Sequence, residues 1–195
     1  MSPAQPRLPT LSAEALSPDQ KRVFDAIRSG PRGRVAGPLL AWLHSPAFAE
    51  RAQALGHFAR YDSSLSPDLS ELAILVTARI WGSEFEWSHH APLAEAAGIA
   101  PDAIARIARA ERPALQTPQR QAVFDFAVEL HRDRVVRDDT FARAAELLGA
   151  EGIVDLIGIC GYYTLISMTI NAVEIPADGP PGLPQLELAT VAMFR

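Results

Sequence analysis

A single cysteine, Cys160, stands in this chain. No intrachain disulfide can form, and a structural zinc site built on several thiolates is excluded. The lone thiol agrees with a reducing compartment, and a cytoplasmic location is the expectation. Lysine is nearly absent too: Lys21 is the only one, and arginine supplies the other fixed positive charges. With a formal net charge of −5, the chain lacks the basic excess of a nucleic-acid binder. Neither GxxxxGK[ST] nor GxGxxG occurs, so no nucleotide loop is expected. Strand-like alternation never runs beyond a few residues, and no internal repeat is present. The first residues, MSPAQPRLPTLSAEAL, have no basic stretch followed by an apolar one, so no secretory signal is expected.

What is present is a large apolar fraction. The 195 residues are 48% hydrophobic and 21% charged, enough for one domain with a sizeable core. One segment, 153–173, is long enough to span a bilayer. Asp155 and Asn171 lie inside it, and its flanks are Glu151 and Glu174 rather than Lys or Arg. The cost of an intramembrane charge makes it a buried core helix, and no membrane association is expected.

Helix starts recur as Ser or Thr followed by Pro: Ser17-Pro18, Ser45-Pro46, Ser66-Pro67 and Thr117-Pro118. The hydroxyl caps free N–H groups, and Pro suits the first helical position. Gln20 completes a capping box with Ser17. Gly30, Gly82, Gly98 and Gly149 follow apolar-periodic runs and suit left-handed helix ends. The pattern predicts helices near 13–29, 45–60, 67–81, 84–97, 101–110, 118–133, 139–149 and 151–174, with a loop over 30–44. It divides the chain into an extension with one helix (1–34), a helical domain (35–175) and a Pro/Gly-rich, then apolar tail (176–195), which is expected to dock on its own subunit or a neighbour.

Helix 67–81 is apolar around nearly its whole circumference, which marks it as central. It carries Glu71 and Arg79 on one face. A buried carboxylate must be paired, hydrogen-bonded or protonated. An Arg79–Glu71 structural pair is one reading, and a proton-handling Glu71 with a shifted pKa is the other. In the next helix, Glu86 is three residues from His89 and four from His90, so it can orient one imidazole as an acid/base pair. One of the two histidines is expected to face the interior and the other to be exposed or capping.

A metal site is not expected. Glu129 and His131 point about 200° apart on a helix, so with Asp133 they do not converge. His44 and His57 read as ordinary helix or loop histidines. Glu71 and His90 stand about 16 Å and 12 Å from the bend at Gly82 at 1.5 Å per residue. If the two helices fold back antiparallel, a Glu71–His90 relay is feasible.

The run ELAILVTARIWGSEFEWSHHAPLAEAAGI, with FDFAVELHRDRVV and the Gly-Tyr-Tyr at 161–163, resembles the carboxymuconolactone decarboxylase family, which includes the alkylhydroperoxidase D-like proteins. The resemblance runs from about residue 35 to 175. It implies an all-α fold, a compact helical bundle of the alkylhydroperoxidase D-like type, and a homo-oligomer. The family's peroxidase branch carries a Glu and then Cys-x-x-Cys-x-x-x-His. That Glu matches Glu71 and that His matches His90, while the cysteine positions fall on Ser83 and Glu86. A serine supplies no thiolate, so dithiol peroxidase activity is excluded.

The decarboxylase branch implies a cofactor-free lyase acting on a small carboxylated lactone from aromatic-acid breakdown. Glu71, Glu86 and His90 are then the catalytic candidates. Arg79 is the candidate carboxylate anchor, with Trp87 and His89 as further substrate contacts. Trp81, Phe85 and Trp87 either wall an apolar pocket or pack as core. A non-enzymatic oligomeric ligand-binding protein is the alternative, followed by an alkylhydroperoxidase-type peroxidase that lacks the dithiol.

Overall fold

The computed structural model describes residues 7–179 and 181–184. Among these there is no strand. Eight α-helices follow a short 3₁₀ turn: α1 Pro18–Ser29, α2 Pro38–Trp42, α3 Pro46–His57, α4 Pro67–Trp81, α5 Glu84–Ala96, α6 Pro101–Ala108, α7 Pro118–Arg132 and α8 Asp138–Val173. The all-α expectation is met.

The apolar circumference of α4 puts it at the centre. Every residue from Leu69 to Arg79 is buried, and α4 packs against α5, α7 and α8. Gly82 then takes φ 60, ψ 33, a left-handed cap that costs glycine little. The chain reverses there, and α5 runs back along α4.

α8 is long and apolar enough to cross a membrane by length and composition alone. It packs instead against α2, α4 and α7, and its Asp155 accepts hydrogen bonds from the Ser64 N–H and hydroxyl, both at 2.7 Å. A buried carboxylate with two donors is satisfied inside a protein, so the core-helix reading holds. Val154, Ile157 and Met168 on the outer face of α8 stay exposed.

Several local expectations are corrected. The helices expected at 139–149 and 151–174 are both present within Asp138–Val173 and meet at a kink where Gly149 takes φ 71, ψ 176, although that ψ is extended rather than left-handed helical. Gly30 is extended, at φ −81, ψ −176, rather than left-handed. Ser17 and Gln20 do make the capping box, and Thr117 caps the Arg120 N–H. Ser45 and Ser66 cap nothing with their side chains; the Ser66 hydroxyl donates instead to Asp68 at 2.6 Å.

The predicted loop 30–44 contains α2, too short for periodicity to reveal. Gly37 precedes it at φ 55, ψ −128. Trp42 anchors it to α8 by donating to Thr169 Oγ1 at 2.9 Å. Past α3 the winding loosens into a π-helix, Phe58–Asp62. Near the C-terminus, the Gly182 and Leu183 N–H groups donate to Glu84, and Leu183 is buried. The rest of the tail expected to dock, 185–195, lies outside the described residues.

Gly37 fixes how closely the loop before α2 approaches α5. A Cβ there would lie 2.3 Å from Phe85 Cζ, on a backbone already at φ 55. Strain and overpacking then add, so Gly37→Ala is expected to destabilise by roughly 2–4 kcal/mol. Denaturant titration measures it, and a loss within error of zero contradicts this packing.

Candidate functional site

The reversal at Gly82 brings Glu71 on α4 against His90 on α5. His90 Nδ1 is 2.7 Å from Glu71 Oε2. One turn earlier on α5, Glu86 Oε2 is 3.3 Å from His90 Nε2. All three side chains are buried, His90 at 1% exposure. The imidazole also meets the rings of Tyr163 and His89 edge-on, at 5.0 Å and 4.9 Å.

A ring with a carboxylate at each nitrogen is suited to holding two protons, because both N–H groups then find acceptors. Burial by itself lowers the His90 pKa, but the hydrogen bonds and charges of Glu71 and Glu86 outweigh it and raise the pKa above the usual 6.5. Such a group keeps its proton at neutral pH and can give it up to an acceptor beside it.

The triad reaches open space. Glu86, His90 and Tyr163 form part of the wall of a cavity of about 180 Å³, which Leu39, Phe85 and Ile166 line on its apolar side. That volume is small beside the roughly 300–1,000 Å³ of pockets that take drug-sized ligands.

His89 lines the same cavity. Its Nε2 lies 2.9 Å from Arg60 Nη2. A guanidinium only donates, so this nitrogen must be the acceptor and the ring is neutral. The pKa agrees: burial, then the neighbouring His90 and Arg60, bring it down to about 4. The expectation that one of the two histidines faces inward while the other is exposed or capping is corrected. Both reach the cavity, His90 as a proton holder and His89 as the acceptor that fixes Arg60.

Arg79 and Trp87 stand elsewhere. Arg79 makes no pair with Glu71, whose carboxylate faces His90. Its Nε and Nη1 are buried without a hydrogen-bond partner among the described residues, and it does not line the cavity. Arg79 and Glu71 lie eight residues apart, a shared helical face but two turns of rise, about 12 Å. Trp87 packs in the core, where its ring closely approaches Gly182; Trp81 is also off the cavity wall, and only Phe85 of the three aromatics lies on it.

The residues weighed for a metal are each turned to other partners. Glu129 accepts from the Arg137 N–H and the Thr140 hydroxyl, both at 2.9 Å. His131 meets Thr77 Oγ1 at 2.9 Å, and Asp133 pairs with Arg132 at 2.6 Å. Cys160 is buried, and burial pushes its thiol up to about 12, so it is no thiolate.

Three arginines at the cavity were not picked out by sequence reasoning: Arg32, Arg34 and Arg60. Arg60 and Tyr61 sit on the π-helix Phe58–Asp62, a winding that recurs at functional sites because it re-aims side chains. The available signal was compositional: residues 28–36 hold Arg28, Arg32 and Arg34 and no acid.

Residues 46–129 match the Carboxymuconolactone decarboxylase family, which bears out the resemblance read from the sequence. The match takes in Glu71, Glu86, His90 and Arg60, but stops short of Arg32 and Arg34. A crystal structure from Ralstonia eutropha JMP134, described as an alkylhydroperoxidase AhpD core and an uncharacterized peroxidase-related protein, is 18% identical with a TM-score of 0.72. The alignment covers 89% of this chain and 92% of that one. An uncharacterized peroxidase-related protein from Silicibacter sp. TM1040 is 16% identical with a TM-score of 0.72, over 90% and 94% of the two chains. These likenesses establish the fold. No curated protein matches the sequence.

The raised His90 pKa carries a stability signature. The folded state holds a proton that the unfolded state has lost once pH passes 6.5. The stabilisation is therefore complete below that value and is lost as pH rises through the folded pKa. Glu71→Gln leaves an oxygen acceptor in place but removes its charge, which lowers the folded pKa. Denaturation from roughly pH 6 to pH 9 is expected to show a steeper loss in the wild type than in Glu71→Gln. Equal slopes contradict the assignment.

Proposed function

For a chain that carries the carboxymuconolactone decarboxylase family segment, we propose a cofactor-free acid/base enzyme of the decarboxylase type, acting on a small carboxylated lactone or a related acid. The observation that carries this reading is the run Glu71–His90–Glu86, hydrogen-bonded at one end and open to a cavity at the other.

Decarboxylation next to a conjugated carbonyl needs little from a protein. The bond between the substrate carbon and its carboxylate breaks, CO2 leaves, and the electron pair moves into the carbonyl to form an enolate. A proton must then reach carbon. The His90 imidazolium holds one at Nε2 beside Glu86, and Glu71 on Nδ1 keeps the ring oriented and charged. A positioned acid of this kind contributes about 10²–10⁴-fold in rate. Leu39, Phe85 and Ile166 offer an apolar wall, which favours loss of a charged carboxylate as neutral CO2.

The dithiol route has no foothold in these side chains. Ser83 and Glu86 occupy the positions where the peroxidase branch carries cysteines, and Cys160 does not line the cavity.

A mass-spectrometric screen of carboxylated lactones for loss of CO2 tests the proposal. His90→Ala and Glu86→Gln are each expected to reduce turnover by roughly 10²–10⁴-fold without unfolding the chain. Cys160→Ser is expected to keep full activity. Turnover that survives both substitutions removes His90 and Glu86 from the mechanism.

A further inference from the structure

We propose that Arg32, Arg34 and Arg60 form an anion-binding subsite that takes a small organic dianion, with His89 as the residue that positions Arg60. The subsite deepens the acid/base reading, and rests on it only in placing the reacting end of the ligand over His90.

The three arginines reach one cavity from two separate segments, the loop ahead of α2 and the π-helix after α3. Many of the other arginines in this acidic chain meet carboxylates: Arg120 pairs with Asp68 at 2.7 Å, Arg143 with Asp125 at 2.8 Å and Arg109 with Glu111 at 3.0 Å. No carboxylate among the described residues forms an ion pair with Arg32, Arg34 or Arg60. Arg60 is held by a neutral acceptor instead, His89 Nε2 at 2.9 Å, and its guanidinium lies 5.6 Å from the Tyr61 ring. Arg32 lies 5.9 Å from the same Tyr61 ring and extends inward to Gly56, beside the Tyr162 hydroxyl.

A neutral imidazole and an aromatic ring fix the direction of a guanidinium without cancelling its charge. Grouping three such cations around one hollow is unfavourable until an anion fills it. The charge excess points to the ligand's valence. Three guanidiniums and the His90 imidazolium outnumber the Glu71 and Glu86 carboxylates by two. A dianion balances the site, and a monoanion leaves it positive. The cavity of about 180 Å³ limits the ligand to a small molecule, and Leu39, Phe85 and Ile166 give it a carbon-bearing face to lie against. Guanidiniums accept carboxylate and phosphate oxygens alike, so the shared chemistry is a doubly charged oxyanion on a small organic frame.

Isothermal calorimetry of the full chain at low ionic strength, with succinate, glycerol phosphate, acetate and succinamide, tests this. Succinate or glycerol phosphate is expected to bind saturably, and which of them binds tells carboxylate from phosphate. Acetate is expected to bind at least roughly tenfold more weakly, and succinamide not at all. Arg34→Gln and Arg60→Gln should each weaken dianion binding by roughly tenfold or more. Arg34 is exposed, so its replacement leaves the fold intact. His89→Gln, which keeps an acceptor for Arg60, should retain binding that His89→Leu loses.

No saturable binding of either dianion, or equal binding by the wild type and both arginine variants, overturns the subsite. Equal binding by His89→Leu overturns the positioning role. Calorimetry reads binding without turnover. A failed decarboxylase screen therefore leaves this result standing, and a failed titration leaves the proton chemistry of Glu71, His90 and Glu86 to its own test.

Discussion

A buried imidazole clasped between two carboxylates is the constraint around which this bundle is arranged. His90 at 1% exposure is tolerable only if its polar atoms are satisfied and its charge, when present, is paired. Glu71 at 2.7 Å and Glu86 at 3.3 Å meet both needs. Each of these contacts depends on something larger. The Glu86 contact needs only one turn of α5. The Glu71 contact needs α5 folded back along α4, which needs the left-handed Gly82. α4 in turn is held on its remaining sides by α7 and α8, and Tyr163 of α8 meets the His90 ring edge-on.

The cavity joins two kinds of material. Its proton-holding wall comes from α5, with Glu71 of α4 behind His90, all within the segment that matches the family. Much of its cationic wall comes from the loop ahead of α2, outside that segment. Gly37, pressed on Phe85, ties the two together. The buried imidazole and two of the three cavity arginines thus come from different stretches of chain. A family-level likeness therefore says little about the ligand.

Much of the architecture was legible in the sequence because it rests on local rules. The Ser17 and Thr117 caps and a left-handed Gly82 follow from capping physics, Pro at the first helical position marked the starts after Ser45 and Ser66, and the apolar circumference of α4 announced a central helix. The Glu71–His90 contact followed from counting rise on both sides of one bend. What escaped needs three-dimensional information. The five residues of α2 are too few for a period. The π-winding that aims Arg60 inward leaves no mark that separates it from the end of an ordinary helix. Arg32, Arg34 and Arg60 share no spacing, so nothing in the chain joins them until it folds. Arg79 was misjudged for the reverse reason: a shared helical face with Glu71 does not bring the two within reach, and Glu71 was already committed to His90.

The central claim is that His90 carries a proton at neutral pH because Glu71 and Glu86 hold it there. Imidazole nitrogen chemical shifts followed by NMR across pH measure this directly. The account predicts that His90 remains a doubly protonated imidazolium above the ordinary 6.5, while His89 and His131 stay neutral until about 4. A His90 that is neutral at pH 7, titrating at or below the ordinary histidine range, would contradict it.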